Sequence, residues 1–170
     1  MLHNRSGGCI RKRTMLAAAM GLTTLAAAAI QGSRRFAVVE DSMRPTLEPG
    51  DWVIARRHRG VPRRGAVVVF ASPHNPQLLL IKRVIGLPGE RITVANGQVH
   101  IDGSTLAETW ASARTAPDSD NLVPDDAVWV LGDDRTLSSA DSRTIGPVPV
   151  DGVAWRVFAI YWPAGRAAAL

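Results

Sequence analysis

The chain has 170 residues, of which 46% are hydrophobic and 21% are charged, and it carries 20 Lys and Arg against 15 Asp and Glu. This composition excludes collagenous and disordered chains, and the length predicts one domain with one core. The single cysteine, Cys9, excludes an internal disulfide, and the net charge of +5 leaves anionic lipid and nucleic acid open as partners.

An uncharged segment, residues 14–33, follows a basic tail, residues 1–13. At about 1.5 Å per residue this segment just spans a hydrocarbon core of about 30 Å, so we predict one transmembrane helix as an anchor. Its alanine-rich end also fits a cleaved secretory signal, and this alternative stays open. The basic residues of the tail favour a cytoplasmic N-terminus, which predicts that residues 34–170 form an extracytoplasmic domain.

Beyond this segment, short apolar runs alternate with turn residues, which is typical of a mainly β domain. The clearest hairpin is R-I-T-V-A-N-G-Q-V-H-I, residues 91–101. Its Asn96-Gly97 pair favours a type I′ turn. Residues 104–126 contain Pro117 and Pro124 and lack sustained periodicity, so we expect an excursion over the surface there.

Two polar segments contain the first candidate chemistry. In E-D-S-M-R-P-T-L-E-P-G-D, residues 40–51, Ser42 follows a strand, although most loop serines only bond the backbone. In L-L-L-I-K-R-V-I-G-L-P-G-E, residues 78–90, Lys82 interrupts an apolar strand. Burial there would lower the pKa of this amine from about 10.4 and let it accept a serine proton, whereas snorkelling from an edge strand is the alternative.

The third segment is V-L-G-D-D-R-T-L-S-S-A-D-S-R-T-I-G-P-V, residues 130–148, a strand followed by a polar loop. In order, and over most of residues 39–162, the three segments resemble the motifs of type I signal peptidases, including the mitochondrial inner membrane peptidase branch. The resemblance implies a β-barrel-type catalytic domain and a membrane-bound serine endopeptidase that removes signal peptides. It also implies an acyl-enzyme mechanism with Ser42 as nucleophile and Lys82 as general base.

The resemblance implies supporting roles for further residues of these segments. Ser139 would orient the lysine amine, with Ser138 as the alternative because the loop is one residue longer than usual. Asp141 and Arg143 would form an ion pair and Asp133 would hold the same loop. Met43 would pack beside the nucleophile. The backbone N–H of Ser42 would stabilise the oxyanion, and Glu40 stands where some family members have a second donor, a hydroxyl.

The resemblance also implies the partners and the location. The substrates would be preproteins with small residues at the first and third positions before the cut. The enzyme would lie in the plasma membrane, or in the mitochondrial inner membrane facing the intermembrane space. No cofactor or metal is implied, and the four histidines lack metal-ligand spacing. The basic run of residues 56–64 indicates a loop near anionic lipid rather than a nucleic-acid site.

Four alternatives remain. The first is a dedicated maturation protease for one substrate. The second is a catalytically silent, membrane-tethered β module that binds partners. LexA-like repressors use a similar Ser and Lys pair, but residues 1–35 are too short and apolar for their DNA-binding domain. A Ser-His-Asp triad with His58 or His74 also stays open, because triads assemble across a sequence.

Overall fold

The computed structural model of the chain describes residues 32–170. The predicted basic tail and all of the predicted anchor except residues 32 and 33 lie outside this range. Between residues 32 and 170, no helix is long and apolar enough to cross a membrane.

The described residues form twelve strands, one short α-helix and three 3-10 helices, so the mainly β prediction is confirmed. The strands are β1 Ser33–Ala37, β2 Trp52–Arg57, β3 Val67–Ser72, β4 Asn75–Gly86, β5 Arg91–Ala95, β6 Gln98–Ile101, β7 Ser104–Thr105, β8 Ser119–Leu122, β9 Ala127–Leu131, β10 Val148–Pro149, β11 Val153–Trp162 and β12 Ala168–Ala169. The α-helix α1 is Ser142–Ile145, and the 3-10 helices are Asp41–Met43, Val150–Gly152 and Ala164–Arg166.

The strands form two sheets. The larger sheet has the order β1-β2-β11-β3-β4-β9-β10, with β12 added to β11, and the smaller has the order β7-β6-β5-β8. The pairings of the larger sheet form a linear series, so the barrel-type closure implied by the resemblance stays a prediction.

The smaller sheet contains the predicted hairpin and corrects one expectation. β5 and β6 pair antiparallel around Asn96 and Gly97, and both residues have positive φ, at 51° and 79°, as a type I′ turn requires. The predicted excursion at residues 104–126 contains two strands, because β7 pairs with β6 and β8 with β5. The sequence of β8, S-D-N-L, lacks an apolar alternation because its side chains are mostly exposed.

The larger sheet buries the strand that carries the lysine. In β4, Leu80 and Val84 belong to an apolar cluster with Val68, Phe70 and residues of β9. Lys82 lies between them on the same face, by the period of two in a strand, and is only 2% exposed. The alternative that Lys82 snorkels from an edge strand is therefore wrong.

Candidate active site

The serine segment is fixed to the core on both sides of Ser42. Ser42 lies in the 3-10 helix Asp41–Met43, which is separated by three residues from the end of β1. Met43 is fully buried in a cluster with Leu47, and the Leu47 N–H donates to the Met43 carbonyl over 2.9 Å. The Ser42 carbonyl in turn accepts a hydrogen bond from the Asp134 N–H at 3.1 Å. These contacts hold the backbone of Ser42 against the third polar segment.

The serine and the lysine meet inside the protein. The Lys82 Nζ lies 2.6 Å from the Ser42 Oγ, within hydrogen-bond distance. The two residues are 2% and 4% exposed. Since both side chains are shielded from bulk water, their hydrogen bond is stronger than the same contact would be at the surface.

The pKa of Lys82 is lowered from its ordinary value of 10.5, chiefly because burial disfavours the charged ammonium. Three carboxylates oppose this effect and raise the pKa of Lys82, in the order Asp141, Glu40 and Asp133. The Arg143 guanidinium lowers it further. The net direction favours a neutral amine, which is the form that can accept a proton from a hydroxyl.

The Asp141 carboxylate organises the loop that follows β9. It accepts hydrogen bonds from the side chain of Arg143 at 2.9 and 2.8 Å, from the Arg143 N–H at 3.1 Å and from the Gly132 N–H at 3.2 Å. Burial alone would raise the pKa of Asp141, but the hydrogen bonds from Arg143 and Ser138 outweigh it and lower that pKa. The predicted Asp141 and Arg143 ion pair is present.

The two candidate serines of this loop lie in different environments. Ser138 is buried, and its Oγ donates to Asp141 Oδ2 over 2.7 Å. Ser139 is exposed, and only its carbonyl is engaged, by the Thr144 hydroxyl at 2.6 Å. A Cβ added to Gly132 would lie 2.4 Å from the Ser138 Oγ and 2.5 Å from the Ser42 carbonyl oxygen. Ser138 is thus the serine beside the Ser42 backbone. This placement favours Ser138, the alternative, over Ser139.

Asp133 has a partner that the sequence reasoning missed. Arg83 donates to both oxygens of Asp133, with Nε at 2.7 Å and Nη2 at 2.6 Å. The Thr46 hydroxyl adds a bond of 2.5 Å to the same carboxylate. Arg83 follows Lys82 on β4, so it faces the opposite side of the strand. Arg83 and Asp133 are 50 positions apart, so no local sequence pattern indicated this pair.

A second missed arginine connects the loop to the excursion at residues 104–126. Arg135 is buried and forms an ion pair with Glu108. Its side chain also donates to the Thr115 hydroxyl and, over 2.9 Å, to the Gly132 carbonyl. The excursion therefore packs against the loop that carries Ser138 and Asp141.

A groove leads to the Ser42 and Lys82 pair. It has a volume of about 270 Å³ and lies between residues 36–40, at and after the end of β1, and residues 78–82 of β4, with Val69 and Ser42 completing its lining. The lining is apolar except for Glu40, Ser42 and Lys82. Residues Leu79 to Ile81 of β4 pair with β3, whereas β9 pairs with β4 from Arg83 onward. Within residues 32–170, no strand pairs with the edge of β4 beside the groove, so an added strand could pair there.

The histidines considered for a triad lie elsewhere. His58 Nε2 is hydrogen-bonded to the Gly60 carbonyl at 2.9 Å. His74 is exposed in the turn between β3 and β4. Neither residue lines the groove, so the geometry favours Lys82 over either histidine as the partner of Ser42.

Comparisons with known proteins found a matching family model and several relatives. The family model described as "Signal peptidase, peptidase S26" matches residues 11–162. A signal peptidase I of Leptolyngbya laminosa is 39% identical over 142 residues, which are 76% of this chain and 68% of that protein. The mitochondrial ATP-independent inner membrane protease subunit 1b of Arabidopsis thaliana is 37% identical over 126 residues, 72% of this chain and 66% of that protein.

A solved structure also matches. The crystal structure of a signal peptidase I from Enterococcus faecalis superimposes with a TM-score of 0.50 at 29% identity, and the match covers 56% of this chain and 96% of that chain. The curated relatives are longer than the match, since this chain spans about two thirds of their length.

Proposed function

The chain belongs to the signal peptidase family, peptidase S26, and is a membrane-associated serine endopeptidase; we propose that it removes signal peptides from exported preproteins through Ser42 and Lys82. The observation that carries this proposal is the distance of 2.6 Å between the Lys82 Nζ and the Ser42 Oγ inside the protein. A nucleophile needs a base within hydrogen-bond reach, and burial lowers the pKa of Lys82 toward the unprotonated amine.

The proposed reaction has two stages. Lys82 accepts the Ser42 proton while Oγ attacks the scissile carbonyl, and the backbone N–H of Ser42 stabilises the oxyanion. The protonated Lys82 then gives the proton to the leaving amine, which releases the mature protein and leaves an acyl-enzyme. Lys82 next activates a water molecule, which hydrolyses the ester and restores Ser42.

Ser138 and Asp141 are the proposed positioning groups for this dyad. The Ser138 hydroxyl, beside the Ser42 backbone, keeps the loop closed over the lysine through its bond to Asp141. Arg143 holds the Asp141 carboxylate, and Arg83 holds that of Asp133. None of these groups has to exchange a proton during the reaction.

The groove supports an extended substrate. A peptide that pairs with the free edge of β4 would place alternate side chains on opposite faces. The first and third residues before the cut would then face the apolar lining, where Leu80, Ile81 and Val38 leave room for small side chains. This arrangement supports the preference for small residues that the family resemblance implies.

The sheet surface formed by β2 and β11 suits anionic lipid. Trp52 and Trp162 are neighbours across these strands and are 42% and 57% exposed. Arg56, which shares the Trp52 face of β2, lies over the Phe158 ring at 4.7 Å. Because exposed tryptophans and arginines favour the membrane interface, we expect this surface to bind lipid rather than nucleic acid. The proposed topology is a single membrane crossing with the catalytic domain on the extracytoplasmic side.

The test is cleavage of a preprotein with an A-x-A site by the full chain in detergent, with the cut mapped by mass spectrometry. We expect one cut after the second small residue, and none with Ser42→Ala or Lys82→Ala. His58→Ala and His74→Ala serve as matched controls and should cleave like the wild type. Retained cleavage in Lys82→Ala would refute the dyad. If the folded wild type in detergent cleaves none of several such substrates, general signal peptidase activity is refuted. A protease with a dedicated substrate or a catalytically silent module would then remain.

A further inference from the structure

The groove contains one charge that the cleavage mechanism does not use. Its lining residues are apolar apart from Glu40, Ser42 and Lys82. In the proposed reaction Lys82 is neutral when it accepts the serine proton, so its charge does not then offset a nearby carboxylate. Glu40 is therefore the one carboxylate among the residues that line the groove.

The Glu40 side chain is exposed and forms no side-chain hydrogen bond or salt bridge within residues 32–170. Its backbone is extended, with φ −110° and ψ 161°, and it precedes the 3-10 helix of Ser42 without capping it through its side chain. The neighbouring carboxylates differ, because Asp41 pairs with Arg44 at 2.8 Å and Glu48 pairs with Arg166 at 3.0 Å. Glu40 is thus the unpaired carboxylate beside the nucleophile.

The Glu40 carboxylate acts electrostatically on the reacting lysine. Glu40 is one of the charges that raise the pKa of Lys82, and it is two residues from Ser42 in the chain. A charge at this position will also act on any substrate side chain held above the Ser42 Oγ.

Side chains alternate along an extended peptide, and this alternation identifies the substrate side chain on which Glu40 acts. If the first and third residues before the cut face the apolar lining, the second residue faces the rim of the groove. Glu40 lies at that rim and is exposed there. A Lys or Arg at the second position could therefore pair with Glu40 without entering an apolar pocket.

We propose that Glu40 is a specificity-determining residue that favours substrates with Lys or Arg at the second position before the cut. The proposal rests on the proposed function, since it concerns the same groove and the same reaction. Exposed ion pairs are weak, but a bound peptide excludes part of the water, so we expect a preference in kcat/KM of about threefold to tenfold over Gln.

The experiment uses A-x-A peptides that differ only at the central residue, which is Lys, Arg, Gln, Met or Glu. The full chain is assayed in neutral detergent, because anionic lipid would concentrate cationic peptides by itself. We expect kcat/KM to fall from Lys and Arg to Gln and Met and then to Glu, and the spread to shrink as ionic strength rises from about 50 mM to about 500 mM.

Three variants separate Glu40 from general electrostatics. Glu40→Gln should reduce the ratio between the Lys and Gln peptides to near one, and Glu40→Lys should invert it. Asp118→Asn removes the same charge from an exposed site in the excursion and should keep the wild-type ratio. Circular dichroism of each variant verifies that it is folded.

Equal rates for all peptides with the wild type would overturn the inference while leaving the proposed function intact. A preference that survives in Glu40→Gln would overturn it as well, and so would a preference confined to another position. If the wild type cleaves none of these peptides and no A-x-A preprotein, the proposed function fails and the inference fails with it.

Discussion

Replacing Ser138 by alanine should reduce both stability and catalysis, whereas Ser139→Ala should affect neither strongly. Ser138 is buried and its hydroxyl donates to the Asp141 carboxylate over 2.7 Å, while Ser139 is exposed. The pair of variants is closely matched, since both remove one hydroxyl from adjacent positions of the same loop. Their comparison therefore isolates the bond to Asp141.

The size of the stability effect follows from the hydrogen bonds that Asp141 retains in Ser138→Ala. The carboxylate accepts bonds from Gly132, Ser138 and Arg143, and Ser138→Ala removes one of them without breaking the ion pair. A hydrogen bond to a charged group is worth about 1.5 to 3 kcal/mol, so the free energy of unfolding should fall by about that amount. Ser139→Ala should change it by less than about 0.5 kcal/mol, as is usual for surface substitutions.

The effect should depend on pH in a defined direction. The Ser138 bond is one of the interactions that lower the pKa of Asp141 against the effect of burial. A carboxyl with a lowered pKa stabilises the fold above its ordinary pKa, and this stability is lost as pH falls through the folded-state pKa. The wild type should therefore exceed Ser138→Ala in stability at neutral pH, and the difference should vanish in acid.

Catalysis should respond through the position of Lys82. A small misplacement of the base lowers kcat by about tenfold to a hundredfold, with KM changed less because the groove lining is intact. Urea unfolding at several pH values and steady-state cleavage of one A-x-A peptide measure both effects. A larger loss of kcat in Ser139→Ala than in Ser138→Ala would refute the assignment of Ser138.

Three further changes test the buried polar groups around the dyad. Lys82→Met should abolish cleavage yet unfold at higher urea concentration than the wild type at neutral pH. The pKa of Lys82 is lowered from 10.5 in the folded state, so the unfolded state binds more protons than the folded state below that pH. The stability of the wild type therefore rises as pH approaches 10.5, and the advantage of the variant should disappear. Gly132→Ala places a Cβ 2.4 Å from the Ser138 side chain and 2.5 Å from the Ser42 carbonyl oxygen, which should cost about 1 to 3 kcal/mol in thermal unfolding and suppress cleavage. Arg83→Met leaves the buried Asp133 without its ion-pair partner and should lower the free energy of unfolding by about 3 to 5 kcal/mol. The double variant Arg83→Met/Asp133→Leu should recover much of that loss in the same thermal unfolding experiment. An equally unstable double variant would contradict this account.

The sequence predicted the parts of the site that depend on local pattern. Lys82 in an apolar strand was a candidate because few arrangements bury an amine without a partner. The resemblance to type I signal peptidases then implied the roles of Lys82 and Ser42. The Asn96-Gly97 hairpin was equally local. In each case the residue type and its immediate neighbours contained the information, and the structure agrees.

What the sequence could not resolve depends on how separate segments meet. Choosing between Ser138 and Ser139 required the path of a loop with one additional residue, and the family resemblance favoured Ser139, which is exposed. The Arg83 and Asp133 pair joins residues that are 50 positions apart, so no local pattern could indicate it. β8 was missed because an exposed polar strand lacks the alternation that identifies strands.

The electrostatics of the site explain why the lysine can be neutral beside so many carboxylates. Asp141 is the strongest of the charges that raise the pKa of Lys82, and by itself it would favour the ammonium that cannot act as a base. Arg143 binds the same carboxylate through two side-chain nitrogens and also lowers the pKa of Lys82 directly. The Arg143 guanidinium therefore compensates much of the Asp141 charge, while Asp141 still accepts the Ser138 hydrogen bond and holds the loop. Burial then remains the dominant influence on the pKa of Lys82.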